Sequence, residues 1–310
     1  MRRSLPVLLA LACVSSSVVG CSGRLRAGVD NVDELLAATE EGDFAAAVAA
    51  GDAAWANRSE ESAVLEAIAA WEGALTLTTD DEVQRTEAIA DVYVKLSMAH
   101  YWLAHAHQRF IEDEGAMKEA SMASYTRGME AGQRGLAIRN AAWNEALTGG
   151  ASAADSVGLL TDADVPAAYW YAANTGRWAL LEGVVSALRF KDEIFALMTR
   201  VQELDGSYFY NGPDRYFGAY HTKLPLGNPN VELSAEHFNR AIEAAPDYLE
   251  SRVVMAEEWA TKTNNREAAL EQLNFVVNFD LSTAPDLLPE NTNAVRRAQI
   301  MLDEIDEYFR

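Results

Sequence analysis

The sequence predicts an all-α protein built from helical hairpins that stack into a superhelix. Three observations predict this class. Ala, Leu and Glu, which favour helices, dominate the 310-residue chain. Apolar residues recur every three or four positions, and short polar or glycine-containing breaks separate these stretches at regular intervals. Helices that fill these stretches and are joined by short connections pack as neighbours. An apolar content of 49% is ample for a core.

The charge of the chain excludes one class of partner. There are 25 basic and 47 acidic residues, which gives a formal net charge of −22. Nucleic acids and anionic lipid surfaces are bound by clustered Lys and Arg side chains. We therefore expect no nucleic-acid partner and no electrostatic membrane binding.

The N-terminal segment has the organisation of a secretory signal peptide. Arg2 and Arg3 form a basic start, and an apolar run over residues 5–14 follows that is too short to cross a bilayer. Residues 18–21, Val-Val-Gly-Cys, resemble the bacterial lipobox, in which the cysteine thiol receives a diacylglyceryl group. We therefore expect lipidation of Cys21. The alternatives are an ordinary secretory peptide with a chance cysteine, or a cysteine of the core.

Cleavage before Cys21 would divide the chain into three parts. These are a signal peptide over residues 1–20, a lipidated tether over residues 21–30 and a helical domain over residues 31–310. No later stretch has 18 consecutive apolar residues, so the acyl chains would be the one membrane contact. Ser22 resembles the residue that favours the outer membrane in Gram-negative sorting. We expect a location on the periplasmic face of the cell envelope.

Five stretches carry a pattern typical of contacts between helical hairpins. Four place a bulky residue between two others at helical spacing, and the fifth has only glycines, which let two helices approach closely. The five are Ala67–Trp71–Ala74, Gly128–Gly132–Gly135, Ile194–Met198–Val201, Ser234–Phe238–Ala241 and Ala269–Leu273–Val276. The pattern resembles tetratricopeptide (TPR) repeats. A plain helical bundle is the alternative.

Two aromatic segments are candidates for a ligand cleft. Aromatic side chains with a polar tip, together with amide and guanidinium groups, suit the lining of a cleft for an amphipathic organic molecule. The candidates in the first segment are Trp170, Tyr171, Asn174, Arg177 and Trp178, and those in the second are Tyr208, Tyr210, Arg215, Tyr216 and Tyr220. Core packing of a central helix is the alternative for the first segment. A wedge between two repeats is the alternative for the second.

Several stretches together resemble one family, the TRAP-transporter T-component (TatT) family. They are YWYAANTGRW at 169–178, YFYNGPDRYFGAYHTKLP at 208–225 and EHFNRAIEAAPDYLESRVVMAEEWA at 236–260. The resemblance extends over about residues 35–310. It implies a periplasmic, TPR-like lipoprotein that docks with the solute-binding P-component of a tripartite ATP-independent transporter. Gly206, where such repeats often have Pro, and Asn140-Ala141, where Asn-Pro is usual, depart from the pattern.

The sequence offers no set of residues for catalysis or metal binding. His100, His105 and His107 are close in sequence, but on a helix His105 points away from the other two, and no carboxylate or cysteine set completes a zinc site. No HExxH, GxSxG or glycine-rich phosphate loop occurs. We therefore expect a protein that is not an enzyme and needs no cofactor.

Two functions from different classes follow. The first is an accessory of TRAP-type solute uptake that binds the solute-binding protein and a hydrophobic solute. The second is a TPR scaffold for envelope or outer-membrane assembly. Peptide-binding grooves usually present Asn, Lys and Arg, whereas this chain is poor in Lys and rich in aromatic residues, which favours the first. The sequence does not decide between a monomer and a homo-oligomer.

Overall fold

The computed structural model describes residues 28–77, 82–223 and 229–309. The predictions of a signal peptide over residues 1–20, of lipidation at Cys21 and of sorting by Ser22 lie outside the described residues. The predicted tether, residues 21–30, lies mostly outside them.

The described residues form helices joined by short connections, and no strand occurs among them; one isolated backbone bridge joins Glu40 to Leu77. The all-α prediction is confirmed. The α-helices are α1 (Val32–Leu36), α2 (Phe44–Trp55), α3 (Glu61–Ala74), α4 (Glu82–Trp102), α5 (Glu114–Arg139), α6 (Ala141–Thr148), α7 (Ala153–Ser156), α8 (Val165–Glu182), α9 (Val184–Asp205), α10 (Tyr208–Lys223), α11 (Val231–Ala244), α12 (Glu250–Val254), α13 (Arg266–Val277), α14 (Leu288–Asp303) and α15 (Ile305–Tyr308).

Helices that are adjacent in sequence pack against each other as hairpins. The pairs are α2–α3, α4–α5, α8–α9, α10–α11 and α12–α13, and α14 packs on α13. Each hairpin also contacts a neighbour, most extensively through α5 against α8, so the hairpins form a continuous, solenoid-like stack. Two helices continue into π-helical turns, α4 at Leu103–His107 and α12 at Met255–Ala260.

The helix faces predicted from the sequence are the buried ones. The central bulky residues Trp71, Met198, Phe238 and Leu273 are almost completely inaccessible to solvent. They belong to separate parts of the core and lie in four of the five hairpins, on α3, α9, α11 and α13. The small-bulky patterns therefore mark real contact surfaces between helices.

The glycines of α5 let α8 approach its backbone. A Cβ atom at Gly132 would lie 2.9 Å from the Cα of Tyr171, and one at Gly128 would lie 2.3 Å from the side-chain oxygen of Asn174. Real Cβ atoms do not come so close to backbone, so alanine cannot replace glycine without moving a helix. This contact fixes the position of α8, which carries much of the candidate site.

None of the helices in the described parts of the chain is both long enough and apolar enough to cross a membrane.

We predict that Gly132→Ala destabilises the fold by about 1–3 kcal/mol, because the added methyl group overpacks the contact between α5 and α8. The free energy of unfolding from urea titration measures this. Gly73→Ala is the control, since nothing lies within 4 Å of a Cβ at that exposed helical position. It should stabilise the protein by up to about 1 kcal/mol through helix propensity. Equal effects of the two substitutions would contradict the close-contact explanation.

Candidate functional site

A cavity of about 300 Å³ lies between α8, α9 and α10. The end of α4 and its π-helical turn, together with α12 and α14, complete its wall. Most of the side chains that line it are apolar or aromatic, and a few charged groups are placed among them. Such a cavity is of the kind that binds small organic molecules.

The aromatic part of the wall is a cluster centred on Trp170. Its ring lies 4.6 Å from that of Phe209, 5.0 Å from that of Tyr169 and 5.3 Å from that of Tyr101, measured between centroids. The contacts to Phe209 and Tyr169 are edge-to-face, which suits the charge distribution of aromatic rings. The cluster joins α4, α8 and α10, so it sets the shape of the cavity.

A left-handed turn at the start of α10 places Phe209 in this wall. Phe209, Tyr210 and Asn211 have φ values of +47°, +58° and +53°. Left-handed backbone costs about 1–2 kcal/mol for each non-glycine residue. Tyr210 stacks outside the cavity on Tyr248, with ring centroids 4.5 Å apart. The turn thus places the Phe209 ring in the cavity wall, whereas the adjacent Tyr210 ring does not line the cavity.

Arg215 stabilises this strained turn. Its guanidinium donates hydrogen bonds to the carbonyl oxygens of Phe209 and Tyr210, at 3.2 and 3.0 Å, and a longer one of 3.3 Å to the hydroxyl of Tyr169. It also lies over the ring of Tyr248, 4.7 Å from the centroid. Hydrogen bonds from a charged donor are stronger than neutral ones, so Arg215 offsets part of the cost of the left-handed residues.

The close approach of Tyr169 to the turn explains Gly212. A Cβ atom at this position would lie 2.4 Å from the Tyr169 hydroxyl oxygen. Only glycine leaves room for the phenol that Arg215 binds. Gly212 therefore lets α8 pack closely against α10.

Both π-helical turns contribute side chains to the cavity. His105 belongs to the turn that follows α4, and Glu258 to the turn that follows α12. Such bulges are frequent at functional sites because they redirect side chains that a regular helix would aim elsewhere.

A buried charge network closes one part of the cavity. Arg297 binds the carboxylate of Glu250, and His105 Nε2 lies 3.0 Å from the same carboxylate and 3.0 Å from Arg297. Arg297 also binds Glu257, with Nε 3.1 Å from Oε1. Burial alone would raise the pKa of Glu250, but Arg297 and His105 hold it well below its usual range. Burial lowers the pKa of His105 to about 3, so its imidazole is neutral at pH 7.

The other two acidic groups at the cavity also have cationic partners. Lys223 Nζ lies 2.7 Å from Glu258, and Arg58 lies 2.8 Å from Glu290. Arg58 and Glu290 join the N-terminal and C-terminal parts of the chain at the cavity wall.

Arg177 differs from the charged groups of these ion pairs because it does not contact an oppositely charged side chain of a described residue. It lines the cavity from α8 and is half-buried, and the neighbouring Tyr101, Tyr125 and Glu258 raise its pKa against the effect of burial. No carboxylate oxygen of residues 28–77, 82–223 or 229–309 lies within 4.0 Å of its guanidinium.

Five of the ten candidate cleft residues line the cavity. They are Trp170, Arg177, Arg215, Tyr216 and Tyr220. Tyr208 lies just behind this wall, where its hydroxyl oxygen accepts a hydrogen bond of 3.1 Å from Trp170 Nε1, and Tyr210 lies on the outer side. Whether the five bind a ligand remains a prediction.

The remaining three candidates lie on another face of α8. Tyr171 and Asn174 are buried against α4 and α5, where Asn174 donates to the backbone oxygen of Ser97 at 3.0 Å. Trp178 packs on Phe190, with 5.9 Å between centroids. The proposed cleft face of Tyr171, Asn174 and Trp178 is thus a packing face, and the cavity lies along the neighbouring face.

Sequence reasoning missed several residues of the wall. Tyr101, His105, Tyr169, Phe209, Tyr248 and Glu250 line the cavity. Tyr101 and His105 are four residues apart and share a helix face, which is the one signal that could have linked them to the site. Among the described residues, no group of three His, Cys, Asp or Glu side chains could hold a metal ion.

Comparison with known families finds a match over most of the chain. The family described as TRAP transporter T-component matches residues 73–309, which includes every helix that lines the cavity. No curated protein matches the chain.

The buried histidines predict a pH dependence of stability. The unfolded chain binds a proton at each near pH 6.5, whereas burial lowers the pKa of folded His105 to about 3 and that of His100 to about 4. Their contribution is therefore complete above pH 6.5 and is lost as the pH falls toward these values, by up to about 1.4 kcal/mol per pH unit for each proton.

The free energy of unfolding falls between pH 6.5 and 4, and the slope of this fall reports the number of protons taken up on unfolding. We predict that His105→Gln reduces this number by about one, and that the double variant with His100→Gln reduces it by about two. Urea titrations across this range measure the slope. A slope that is the same in the wild type and in His105→Gln would show that the folded imidazole takes up its proton normally.

Proposed function

Because the chain belongs to the TRAP transporter T-component family, we propose that it is a lipid-anchored periplasmic accessory of a TRAP-type solute uptake system. In this role it binds the solute-binding protein of that system and takes an apolar organic solute into the cavity between α8, α9 and α10.

The observation that carries the proposal is the aromatic-lined cavity. At about 300 Å³ it is at the small end of the range of ligand pockets, about 300–1,000 Å³. Burying apolar surface against its wall is favourable by about 25 cal/mol per Å². The Trp170 cluster supplies that surface, and the charge network around Arg297 supports the opposite side.

An apolar rim at the cavity supports the docking of a partner. Leu180 and Val184 line the cavity and are 45% and 65% exposed, and the adjacent Val185 is 82% exposed. These three residues, here called the rim, surround the turn between α8 and α9 at Gly183. Exposed apolar groups that adjoin a ligand cavity suit a partner that exchanges ligand with it.

The lipid anchor is supported by the order of features before the folded domain. A basic start, a short apolar run and the lipobox-like residues before Cys21 follow one another. Acylation at Cys21 would hold the cavity near a membrane.

We predict that the purified protein captures the purified solute-binding protein of the same transporter, and that Val184→Glu with Val185→Glu weakens capture at least tenfold by placing charge on the rim. Leu65→Glu is the matched control: it also adds a charge at an exposed apolar position, 49% exposed on α3, and should leave capture unchanged. No capture by the wild type would contradict docking. Equal loss in both variants would place the interface elsewhere.

We predict that the protein enters the detergent phase of a Triton X-114 partition and that its N-terminal peptide carries acyl chains on Cys21 by mass spectrometry. The Cys21→Ser variant should remain in the aqueous phase. A wild-type protein with an unmodified cysteine in the aqueous phase would contradict the anchor.

A further inference from the structure

The acidic groups of the cavity wall all have an oppositely charged partner, but two of its basic groups do not contact a carboxylate of a described residue. Each acidic side chain that lines the cavity contacts a cation, and the lining cation Lys191 contacts Asp192. The acidic pairs are Glu250–Arg297, Glu258–Lys223 and Glu290–Arg58. Two guanidinium groups in the wall, those of Arg177 and Arg215, contact no carboxylate of a described residue. The wall therefore has an excess of positive charge, although the chain as a whole carries −22.

Arg215 has a structural role that occupies its donors. Both of its terminal nitrogens are hydrogen-bonded, to the carbonyl oxygens of the left-handed turn, to the Tyr169 hydroxyl and, at 3.4 Å, to Ser251. A ligand that bound these nitrogens would have to compete with the turn.

The guanidinium of Arg177 has N–H groups that a ligand could bind. A guanidinium carries five N–H groups in a rigid fork and keeps its charge at every pH that a protein tolerates. Tyr101 also lines the cavity beside Arg177, and its O–H is a further donor for an anion. Glu258 acts on Arg177 only from beyond contact distance and is itself paired with Lys223, so an anion in direct contact with the guanidinium would stabilise it further.

The surroundings of Arg177 leave room for a ligand. Gly176 precedes it on the cavity face of α8, and a Cβ atom there would approach only the tip of Ile194, at 3.9 Å. Ala173 on α8 and Ala187 on α9 also line the cavity, and these small residues leave space beside the guanidinium.

We infer that the cavity takes an amphipathic organic anion, whose carboxylate binds the Arg177 fork beside the Tyr101 hydroxyl and whose apolar body lies against the aromatic wall. This inference rests on the proposed function and narrows the solute to one chemical class. Bidentate binding of a planar carboxylate is the interaction for which a guanidinium is suited.

Isothermal titration calorimetry at pH 7 with decanoate and decanamide tests it. The two probes have the same chain and nearly the same head-group shape, but only decanoate is charged. We expect the wild type to bind decanoate at least tenfold more tightly. In Arg177→Gln, decanoate binding should weaken at least tenfold and decanamide binding should change less than twofold. Arg177→Lys should retain part of the preference, because it keeps the charge and loses the fork.

Arg134→Gln is the matched control. Arg134 is a half-buried arginine on α5 that pairs with Glu130 at 3.7 Å and does not line the cavity. This variant should bind both probes as the wild type does.

The outcomes separate this inference from the proposed function. Equal affinity of the wild type for both probes, or an unchanged preference in Arg177→Gln, would overturn the anion site and leave an apolar-solute cavity in place. Equal weakening of both probes in Arg177→Gln would also overturn it, since Arg177 would then only shape the cavity. If the wild type binds neither probe, solute binding itself fails.

Discussion

The buried contact of Arg297 with Glu250 and His105 is the interaction on which the cavity depends. It joins α14, α12 and the π-helical turn after α4, which come from distant parts of the chain. Removing one partner of such a network leaves an uncompensated buried charge, which costs about 3–5 kcal/mol. A second pair, Arg58 with Glu290, joins α14 to the N-terminal hairpin on the same side. These contacts hold three elements from distant parts of the chain together at the cavity wall.

The departures from regular helix lie around this cavity. The two π-helical turns and the left-handed turn at Phe209, Tyr210 and Asn211 all contribute side chains to its wall. Each irregularity costs conformational energy, and the surrounding contacts compensate for it, most directly through the hydrogen bonds of Arg215. The hairpins that build the rest of the stack are regular and supply the stability. Two parts of the structure thus have different roles. The regular hairpins stabilise the fold, and the irregular turns place aromatic and charged side chains in the cavity wall.

The fold could be predicted from the sequence because helix contacts leave a periodic trace. Trp71, Phe238 and Leu273 are the central residues of patterns with a spacing of three and four residues, and all three are buried.

The site could be predicted only in part. Tyr171 and Trp170 are adjacent aromatic residues on α8, and both are buried, one against α5 and the other in the cavity wall. To tell which face of α8 borders the cavity, one must know where α5 lies. That position depends on the close approach at Gly132 and not on any property of α8 itself. The π-helical turns and the positive φ of Phe209 have no sequence signal, because they arise from contacts with other helices.

The charge of the whole chain bears on how an anionic solute would reach Arg177. A chain with net charge −22 repels anions at distances up to about a Debye length, roughly 8 Å at physiological ionic strength. Inside the cavity the balance is reversed, because the acidic groups there contact cations, whereas the guanidinium groups of Arg177 and Arg215 contact no carboxylate of a described residue. Free diffusion of an anion to the cavity is therefore slowed by the outer surface, while binding within it is favoured. A partner docked on the rim of Leu180, Val184 and Val185 would cover that surface during transfer. The same electrostatics thus connect the two proposals: the proposed anion site behind an acidic exterior would favour delivery by a bound protein over uptake from solution.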